Sequence, residues 1–248
     1  MIENNLALAT ADGQIPVFVV CPDEGGPHPV VLFYMDALGI REELRDMARR
    51  FASAGYYVML PNLFYRWGGP SFDPRPLAQG ILDPKMVELN GALSMAMTAR
   101  DTGVLLSHAA SDPAARLPAA AVGYCMGGRH AIGAAAAYPG KVRAFASLHG
   151  GRLVNDTPDS PHLSLAKTVA AEAYFGWADN DPTAPPEHMR AVEVALAARG
   201  GRHRIELHSG AEHGFTFPER YCYHKTAAER VWARLFALFG RNLHKNDA

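Results

Sequence analysis

A strand, a sharp turn and a helix are encoded in residues 119–137, AAAVGYCMGGRHAIGAAAA, and this stretch constrains the fold of the chain most strongly. A short apolar run leads into a cysteine bracketed by glycines, and a segment of small residues follows. Gly123 and Gly127 are needed in such a turn, because side chains there would collide with the crossing strand and helix. The pattern therefore predicts a strained turn that presents Cys125 at the N-terminus of a helix.

The GxCxG spacing around Cys125 has the mechanics of a nucleophile elbow, with cysteine in place of the more common serine. A helix N-terminus carries about half a positive charge, which favours the thiolate, and the amide of Met126 can donate a hydrogen bond to an oxyanion. A phosphate- or dinucleotide-binding turn is the alternative, since Gly128 also opens the helix. That motif usually follows the first strand of its unit and has an acidic strand end about twenty residues later, whereas the next strand here ends at His149. The nucleophile interpretation is favoured.

The other two cysteines, Cys21 and Cys222, lack this context and are interpreted as buried core residues. Three widely spaced cysteines form neither a disulfide framework nor a zinc-ligand set. A reducing cytoplasm is the expected compartment, and it would also keep a catalytic thiol available.

Composition and charge exclude several classes of partner. The chain has 48% apolar residues, a formal net charge of -1 and no basic block, so nothing indicates binding to nucleic acid or to an anionic membrane surface. The N-terminus lacks a basic segment followed by an apolar core, and no run approaches the roughly eighteen apolar residues of a membrane span. We therefore expect a small-molecule partner, no nucleic acid, no membrane, and a monomer or weak homo-oligomer.

Strand-like and helix-like segments alternate along the chain. An Asp-Gly turn between two short apolar runs predicts an N-terminal antiparallel hairpin, and residues 30–35 form a continuous apolar run typical of a strand covered on both faces. Residues 66–84 are rich in Gly, Pro and Asp and are predicted to be a loop, whereas residues 85–110 are predicted to form one helix. The alternation predicts an α/β fold with a mostly parallel central sheet and helices on both faces, in one domain spanning residues 1–248.

A cysteine nucleophile needs a base, and the base needs an orienting acid. His213 follows the last predicted strand, at the carboxyl end where open α/β sheets place catalytic groups. The acid is expected after the predicted strand 171–177, where Asp179 and Asp181 compete. We favour Asp181, because the proline that follows it holds the turn rigid, and Asp179 stays open as the alternative.

Four segments together resemble the dienelactone hydrolase family of the α/β-hydrolases. They are the elbow GYCMGG, the Asp-Pro-x-x-Pro loop that begins at residue 181, the Glu-His-Gly-Phe segment at residue 212, and MDALGIREELRDMARRFASAGYYVMLPNLFYR at 35–66. The likeness covers residues from about 30 to about 238. It implies the α/β-hydrolase fold and the hydrolysis of an ester or lactone through a thioester, with no metal and no organic cofactor.

The resemblance also implies roles for individual residues. The implied catalytic triad consists of Cys125, Asp181 and His213. The implied oxyanion hole uses the backbone amides of Ala37 and Met126. The best-known members have a glutamate that pairs with the thiol in the resting enzyme, and Asp36 stands at that position here. The resemblance therefore carries the expectation that Asp36 modulates the thiol.

One position departs from the family pattern. The best-known members bind a substrate carboxylate partly through an arginine four residues after the histidine, and Phe217 stands there in this chain. Neutral or weakly polar esters and lactones are therefore expected to be preferred. Trp67, Phe72, Phe215 and Phe217 could line an apolar pocket, with core packing as an equally good alternative for Phe215. The arginines that could replace the missing charge are expected at the surface: Arg66, Arg129 and Arg220.

Two other functions stay open at this point. A thiol-dependent acyltransferase would pass the acyl group to an acceptor other than water. A non-catalytic member of the fold would bind a small molecule without turning it over. Fold alone does not decide between these functions and hydrolysis.

Overall fold

The computed structural model describes residues 1–244, so the predicted domain end at residue 248 lies outside the described residues. The strands are β1 Ile2–Thr10, β2 Gly13–Cys21, β3 His28–Tyr34, β4 Tyr57–Pro61, β5 Ala115–Tyr124, β6 Val142–Leu148, β7 Glu172–Asn180 and β8 His203–Glu212. The helices are α1 Glu42–Ser53, α2 Pro84–Ala92, α3 Met95–Ser111, α4 Gly127–Ala137, α5 Pro186–Arg199 and α6 Lys225–Leu243. None of the helices in this part of the chain is long and apolar enough to cross a membrane.

All eight strands belong to one sheet, with the order β1-β2-β4-β3-β5-β6-β7-β8. The first two strands form the predicted antiparallel hairpin, and β2 pairs antiparallel with β4. The strands from β4 to β8 pair in parallel. The predicted fold class is therefore confirmed: the sheet is mostly parallel, helices cover it, and the chain opens with an antiparallel hairpin.

Adjacent residues of the central strand β3 show that helices cover both faces of the sheet. The ring of Phe33 packs against Phe51 of α1, and Phe51 in turn contacts Trp232 of α6. The hydroxyl of the next residue, Tyr34, lies 2.6 Å from that of Thr102 on α3. Because successive side chains of a strand point to opposite faces, α1 and α6 cover one face and α3 covers the other.

The prediction of one helix over residues 85–110 is wrong, since the structure has two helices there. Leu93 leaves the helical conformation with φ -78° and ψ 105°, and α3 starts after it. The hydroxyl of Ser94 accepts a hydrogen bond from the Met97 amide at 3.2 Å. A serine that caps a new N-terminus in this way competes with continuation of the helix. The break separates α2, which borders the cavity described below, from the helix that packs on the sheet.

The carboxyl ends of the parallel strands bring together side chains that are far apart in sequence. Asp36 follows β3, Cys125 follows β5 and His149 follows β6. Asp181 follows β7 and His213 follows β8. Parallel strands end at the same edge of a sheet, so all five residues lie along one edge.

Candidate active site

The turn after β5 has the strained geometry that the glycine spacing predicts. Cys125 has a φ of +53°, in the left-handed region that a cysteine rarely adopts. A Cβ atom on Gly123 would overlap the carbonyl of Gly127, and a Cβ atom on Gly127 would overlap the carbonyl of Tyr34. The Cys125 amide donates to the Leu148 carbonyl at 3.0 Å, which ties the turn to the end of β6. The surrounding backbone thus holds the cysteine in a conformation that it would not adopt alone.

His213 and Asp181 form a direct hydrogen bond, with 2.6 Å between Nδ1 of the imidazole and a carboxylate oxygen. The other carboxylate oxygen of Asp181 accepts from the amide of Thr183 at 2.9 Å and from its hydroxyl at 2.7 Å. Asp179 instead accepts from Ser209 and from the amide of Gly210, both at an exposed position. Of the two aspartates, only Asp181 contacts the imidazole among the hydrogen bonds of the described residues.

The thiol and the imidazole shift each other's pKa in opposite directions. Burial alone would raise the pKa of the Cys125 thiol, but the charge of His213 and its hydrogen bond outweigh burial, so the pKa lies below its ordinary value. Burial also opposes protonation of His213, yet the Cys125 thiolate and the hydrogen bond to Asp181 raise its pKa to about 10. The two shifts act together to favour a thiolate beside an imidazolium, and the thiolate is the reactive form of a cysteine.

Two backbone amides beside the thiol can donate hydrogen bonds to a negatively charged oxygen. Ala37 and Met126 border the same cavity as Cys125. Neither amide donates to a protein acceptor within residues 1–244. Amides that are held in place and free of partners are the donors that an oxyanion hole requires.

Asp36 is fully buried, and its side chain accepts hydrogen bonds from two arginines and from the Leu38 amide at 3.2 Å, with none to the thiol among the described residues. Its carboxylate accepts from Arg41 at 2.8 and 3.1 Å and from Arg220. The expectation that Arg220 lies at the surface is therefore wrong, because a carboxylate partner at this depth stabilises a buried guanidinium. Arg66 is also not a surface residue, since its side chain is 8% exposed and pairs with Asp101.

The cavity beside Cys125 has an aliphatic wall instead of the expected aromatic one. The wall is formed by Leu38, Leu77, Leu82, Met86 and Val87. Phe217 is fully buried, and Trp67 and Phe72 pack against Phe64, so the predicted aromatic wall is wrong. Phe215 is also fully buried, which agrees with the core-packing alternative for that residue. Phe217 faces inward because its turn, closed by a 3.0 Å bond from its amide to the Gly214 carbonyl, directs the ring onto Tyr124.

Two arginines, Arg129 and Arg152, border the same cavity and have no carboxylate partner in the described part of the chain. Arg129 donates only to neutral acceptors, the backbone carbonyl and side-chain oxygen of Asn90 and the carbonyl of Leu93. Burial lowers the pKa of Arg129 to about 10, and the charge of the Cys125 thiolate opposes that shift. Arg152 is exposed and has a φ of +55°. The cavity is thus lined by aliphatic side chains and by two arginines that have no carboxylate partner in the described residues.

Three residues of this site were not anticipated from the sequence: Thr183, Arg41 and Arg152. For Thr183 a signal exists, because the segment Asp-Pro-Thr is typical of a turn in which an aspartate accepts from the residue two positions on. The two arginines have no local signal. Within residues 1–244, no three His, Cys, Asp or Glu side chains are grouped closely enough to ligate a metal ion.

Comparison with known proteins gives relatives over nearly the whole chain. The model of the dienelactone hydrolase family matches residues 15–243. A Synechocystis sp. protein named "Putative carboxymethylenebutenolidase" is 26% identical over 233 residues, which covers 93% of each chain. A Yersinia pestis protein of the same name is 28% identical over 235 residues, covering 91% of this chain and 83% of the relative.

Solved structures share the fold. The crystal structure of a "Putative Dienelactone Hydrolase" from Klebsiella pneumoniae superposes with a TM-score of 0.85 at 24% identity, covering 97% of this chain and 98% of that one. The segment matched by the family model contains the strained cysteine turn, the aspartate and the histidine described above. The chain belongs to the dienelactone hydrolase family of ester- and lactone-cleaving hydrolases.

Proposed function

We propose that this protein hydrolyses ester or lactone bonds of small molecules, with Cys125 as nucleophile and a thioester acyl-enzyme as intermediate. One observation carries the proposal: His213, hydrogen-bonded to Asp181, lowers the pKa of the Cys125 thiol, and the amides of Ala37 and Met126 border the same cavity without an acceptor in residues 1–244. Acyl transfer requires these parts, namely a nucleophile, a base with an orienting acid, and donors for the oxyanion.

In the first half-reaction the Cys125 sulfur attacks the carbonyl carbon, and the carbonyl π electrons move to oxygen. The amides of Ala37 and Met126 donate to this oxyanion, and a donor of this kind contributes about 2.7–4 kcal/mol in other enzymes. The tetrahedral intermediate then expels the alkoxide, which takes a proton from the imidazolium of His213. An ester loses an alcohol at this step, whereas a lactone opens and keeps its hydroxyl attached to the acyl group.

In the second half-reaction the neutral His213 removes a proton from water while the water oxygen attacks the thioester carbonyl. The same two amides stabilise the second oxyanion. Collapse of the intermediate breaks the carbon–sulfur bond, releases the carboxylic acid and restores the thiolate–imidazolium pair. Asp181 keeps the imidazole oriented with its far nitrogen toward the sulfur throughout the cycle.

The acyl-enzyme can be trapped, and this experiment tests the proposed function. Acid quenching during turnover of a nitrophenyl ester is expected to leave the acyl mass on the peptide that contains Cys125, as read by mass spectrometry. The Cys125→Ala variant is expected to carry no such mass. An adduct on another residue, or turnover without any adduct, would contradict the mechanism.

The same experiment separates a hydrolase from an acyltransferase. Amine, alcohol and thiol acceptors are added in excess during turnover, and the acyl products are identified by chromatography. The free acid is expected to remain the dominant product with every acceptor. Transfer to one acceptor in preference to water would assign the protein as an acyltransferase instead.

Activity is expected to fall above about pH 10, where His213 loses the proton that it gives to the leaving group. Because the pKa of His213 is raised, the imidazolium is present throughout neutral pH. It is lost only above about pH 10, and this loss is expected to give the pH profile of activity an alkaline limb. The limb is measured in kcat/KM profiles of an alkyl ester, with hydrolysis by Cys125→Ala subtracted. A nitrophenyl ester serves as control, since its leaving group needs no proton and should show a weaker limb. If kcat/KM fell equally at alkaline pH for both esters, His213 would not be the acid that protonates the leaving group.

The preference for neutral substrates was expected from Phe217, and this basis is lost because Phe217 does not border the cavity. The unpaired arginines at the cavity predict the opposite, since a substrate carboxylate would neutralise them. Replacing Arg129 or Arg152 with glutamine is expected to lower kcat/KM for a half-ester with a free carboxylate by about 10-fold or more, in keeping with about 1.5–3 kcal/mol for a charged hydrogen bond. The neutral diester should change little.

The control for this substrate comparison is Arg190→Gln, which removes an exposed arginine on α5 that does not border the cavity. It should leave the ratio between the two substrates unchanged. Equal losses on the half-ester and the diester in the Arg129 variant would assign that arginine to support of the backbone at Asn90 and Leu93, and not to substrate recognition.

A further inference from the structure

His149 is a buried histidine beside the candidate triad that the mechanism above does not use. It follows β6 directly, and its φ of +37° places it in the left-handed region. Its amide donates to the Gly176 carbonyl at 2.7 Å, and the preceding residue, Leu148, accepts from the amide of Cys125. The backbone of His149 is therefore fixed between the middle of β7 and the turn that carries the nucleophile.

The ring of His149 reaches the loop that carries His213. One ring nitrogen, Nε2, lies 2.7 Å from the hydroxyl of Thr216, and both side chains are buried. Thr216 lies three residues after His213 in a turn whose Phe215 amide donates to the Glu212 carbonyl at 3.1 Å. The hydrogen bond between His149 and Thr216 thus joins the loop of the base to the strand end beside the nucleophile.

The two imidazole rings also touch each other. The ring centroids of His149 and His213 are 5.3 Å apart and their planes are inclined by 70°. Such an edge-to-face contact restricts rotation of the His213 ring about its own side-chain bonds. Phe215 and Phe217 pack on His149 at centroid distances of 5.5 and 5.3 Å, so the ring has little freedom to move away.

His149 is neutral beside a charged partner. Burial, the charge of His213 and the charge of Arg220 hold the pKa of His149 well below its usual range, with a smaller contribution from His208. Tyr124 completes the surroundings through a ring contact at 6.0 Å. A neutral ring here leaves the positive charge on His213, where the Cys125 thiolate and the Asp181 carboxylate both stabilise it.

Packing alone does not account for a histidine at this position. Its second ring nitrogen, Nδ1, is buried without a hydrogen-bond partner in the described part of the chain, and a buried polar atom without a partner destabilises the fold. The left-handed backbone adds strain. A phenylalanine would fill the same aromatic surroundings without the unpaired nitrogen, so the bond to Thr216 is what the histidine adds to packing.

We propose that His149, held by Thr216, is a positioning residue for His213: it sets the distance and orientation between the base and the Cys125 thiol. The expected decrease in kcat rests on the proposed function. The effect of His149 on the reactivity of the Cys125 thiol can be measured without turnover. Loss of the hydrogen bond would let the loop of His213 move relative to the elbow. A displacement of about 1 Å can cost about 100-fold in rate, so a partial loosening is expected to cost about 10-fold.

The test compares Thr216→Val, which removes one hydroxyl, with Thr216→Ser, which keeps it. Thr216→Val is expected to lower kcat about 10-fold with KM within about twofold, as a misaligned base predicts. The rate of Cys125 alkylation by iodoacetamide, followed across pH, should show its acid limb about one pH unit higher, since a tenfold weaker thiolate–imidazolium interaction corresponds to one unit. Thr216→Ser should restore both properties.

His149→Phe should match Thr216→Val, and the double variant should be no worse than either single variant, because both substitutions remove the same bond. The matched control is His208→Phe. His208 is also buried and its ring lies 5.0 Å from that of Phe215, but its bond goes to Tyr174 and not to the loop of His213. This control should change thermal stability at most and leave the alkylation profile unchanged.

An unchanged kcat and alkylation profile in Thr216→Val would overturn the inference, as would an equal loss in Thr216→Ser or an equal shift in His208→Phe. If His149→Phe does not fold, the two threonine variants still decide. If the wild-type protein hydrolyses no ester, the proposed function fails, whereas the alkylation profiles of wild type and Thr216→Val still test the role of His149.

Discussion

Replacing Cys125 with alanine is expected to lower kcat/KM for ester and lactone hydrolysis by at least about 10⁴-fold, because no acyl-enzyme can form without the sulfur. Removal of the nucleophile in other acyl-transfer enzymes costs up to about 10⁶-fold in kcat, and the activity that remains comes from the oxyanion donors and substrate binding. The free amides of Ala37 and Met126 stay in place in this variant. Initial rates on a panel of esters and lactones measure the loss.

The matched control for this experiment is Cys21→Ala. Cys21 is buried in β2, and burial raises the pKa of its thiol, so it is not a reactive cysteine. Its replacement is expected to leave kcat/KM unchanged. Cys222 is a poorer control, since its thiol donates to the backbone carbonyl of His213 at 3.1 Å and so supports the loop of the base. Hydrolysis that survives in Cys125→Ala would mean that another group, such as an activated water, attacks the carbonyl.

The parts of the site that short-range sterics govern could be predicted from the sequence. The turn around Cys125 depends on overlaps within a few residues of the chain and with one neighbouring strand, and the spacing of Gly123 and Gly127 encodes it. His213 and the aspartate loop could also be located, because the end of a parallel strand has a fixed place in an alternating fold. The sequence left two aspartates open, and the choice between them depends on the direction in which each side chain points.

The parts that depend on contacts between distant segments could not be predicted. Arg220 reaches Asp36 across 184 positions of sequence, and no local pattern indicates that an arginine will be buried there. Phe217 was assigned to the cavity by its position after the histidine, but its turn directs the ring into the core. A sequence offset gives the place of a residue along the chain, whereas the direction of a side chain depends on the backbone angles of the turn.

The break between α2 and α3 has a similar origin. Residues 85–110 contain no proline and are rich in Met, Leu and Ala, which favoured one continuous helix. Ser94, which caps α3 in the structure, gives only a weak signal of this break in the sequence. The break matters for the site, because it separates α2 from α3 and Met86 and Val87 of α2 line the cavity.

The second large effect is expected for Asp181→Asn, which should lower kcat/KM about 10³- to 10⁴-fold, in line with the loss of the orienting carboxylate in other triads. An asparagine at this position can donate to Nδ1 of His213, and that bond would stabilise the tautomer whose proton sits on the nitrogen facing the sulfur. The thiol would then lose its base. The substitution also removes a hydrogen bond that raises the pKa of His213, so the alkaline limb of the kcat/KM profile should move below about pH 10.

Asp179→Asn is the matched control, because Asp179 also follows β7 but bonds to Ser209 and to the amide of Gly210 at the surface. It is expected to change kcat/KM by less than about threefold, as surface substitutions usually shift free energies by about 0.5 kcal/mol or less. Thermal unfolding of both variants checks that the loss in Asp181→Asn does not come from unfolding. Equal losses in the two variants would leave the acid unassigned, and a larger loss in Asp179→Asn would transfer the role to Asp179. The geometry predicts that Asp181→Asn loses much more activity than Asp179→Asn. Only the carboxylate bonded to Nδ1 of His213 can fix the tautomer that accepts the proton of the thiol.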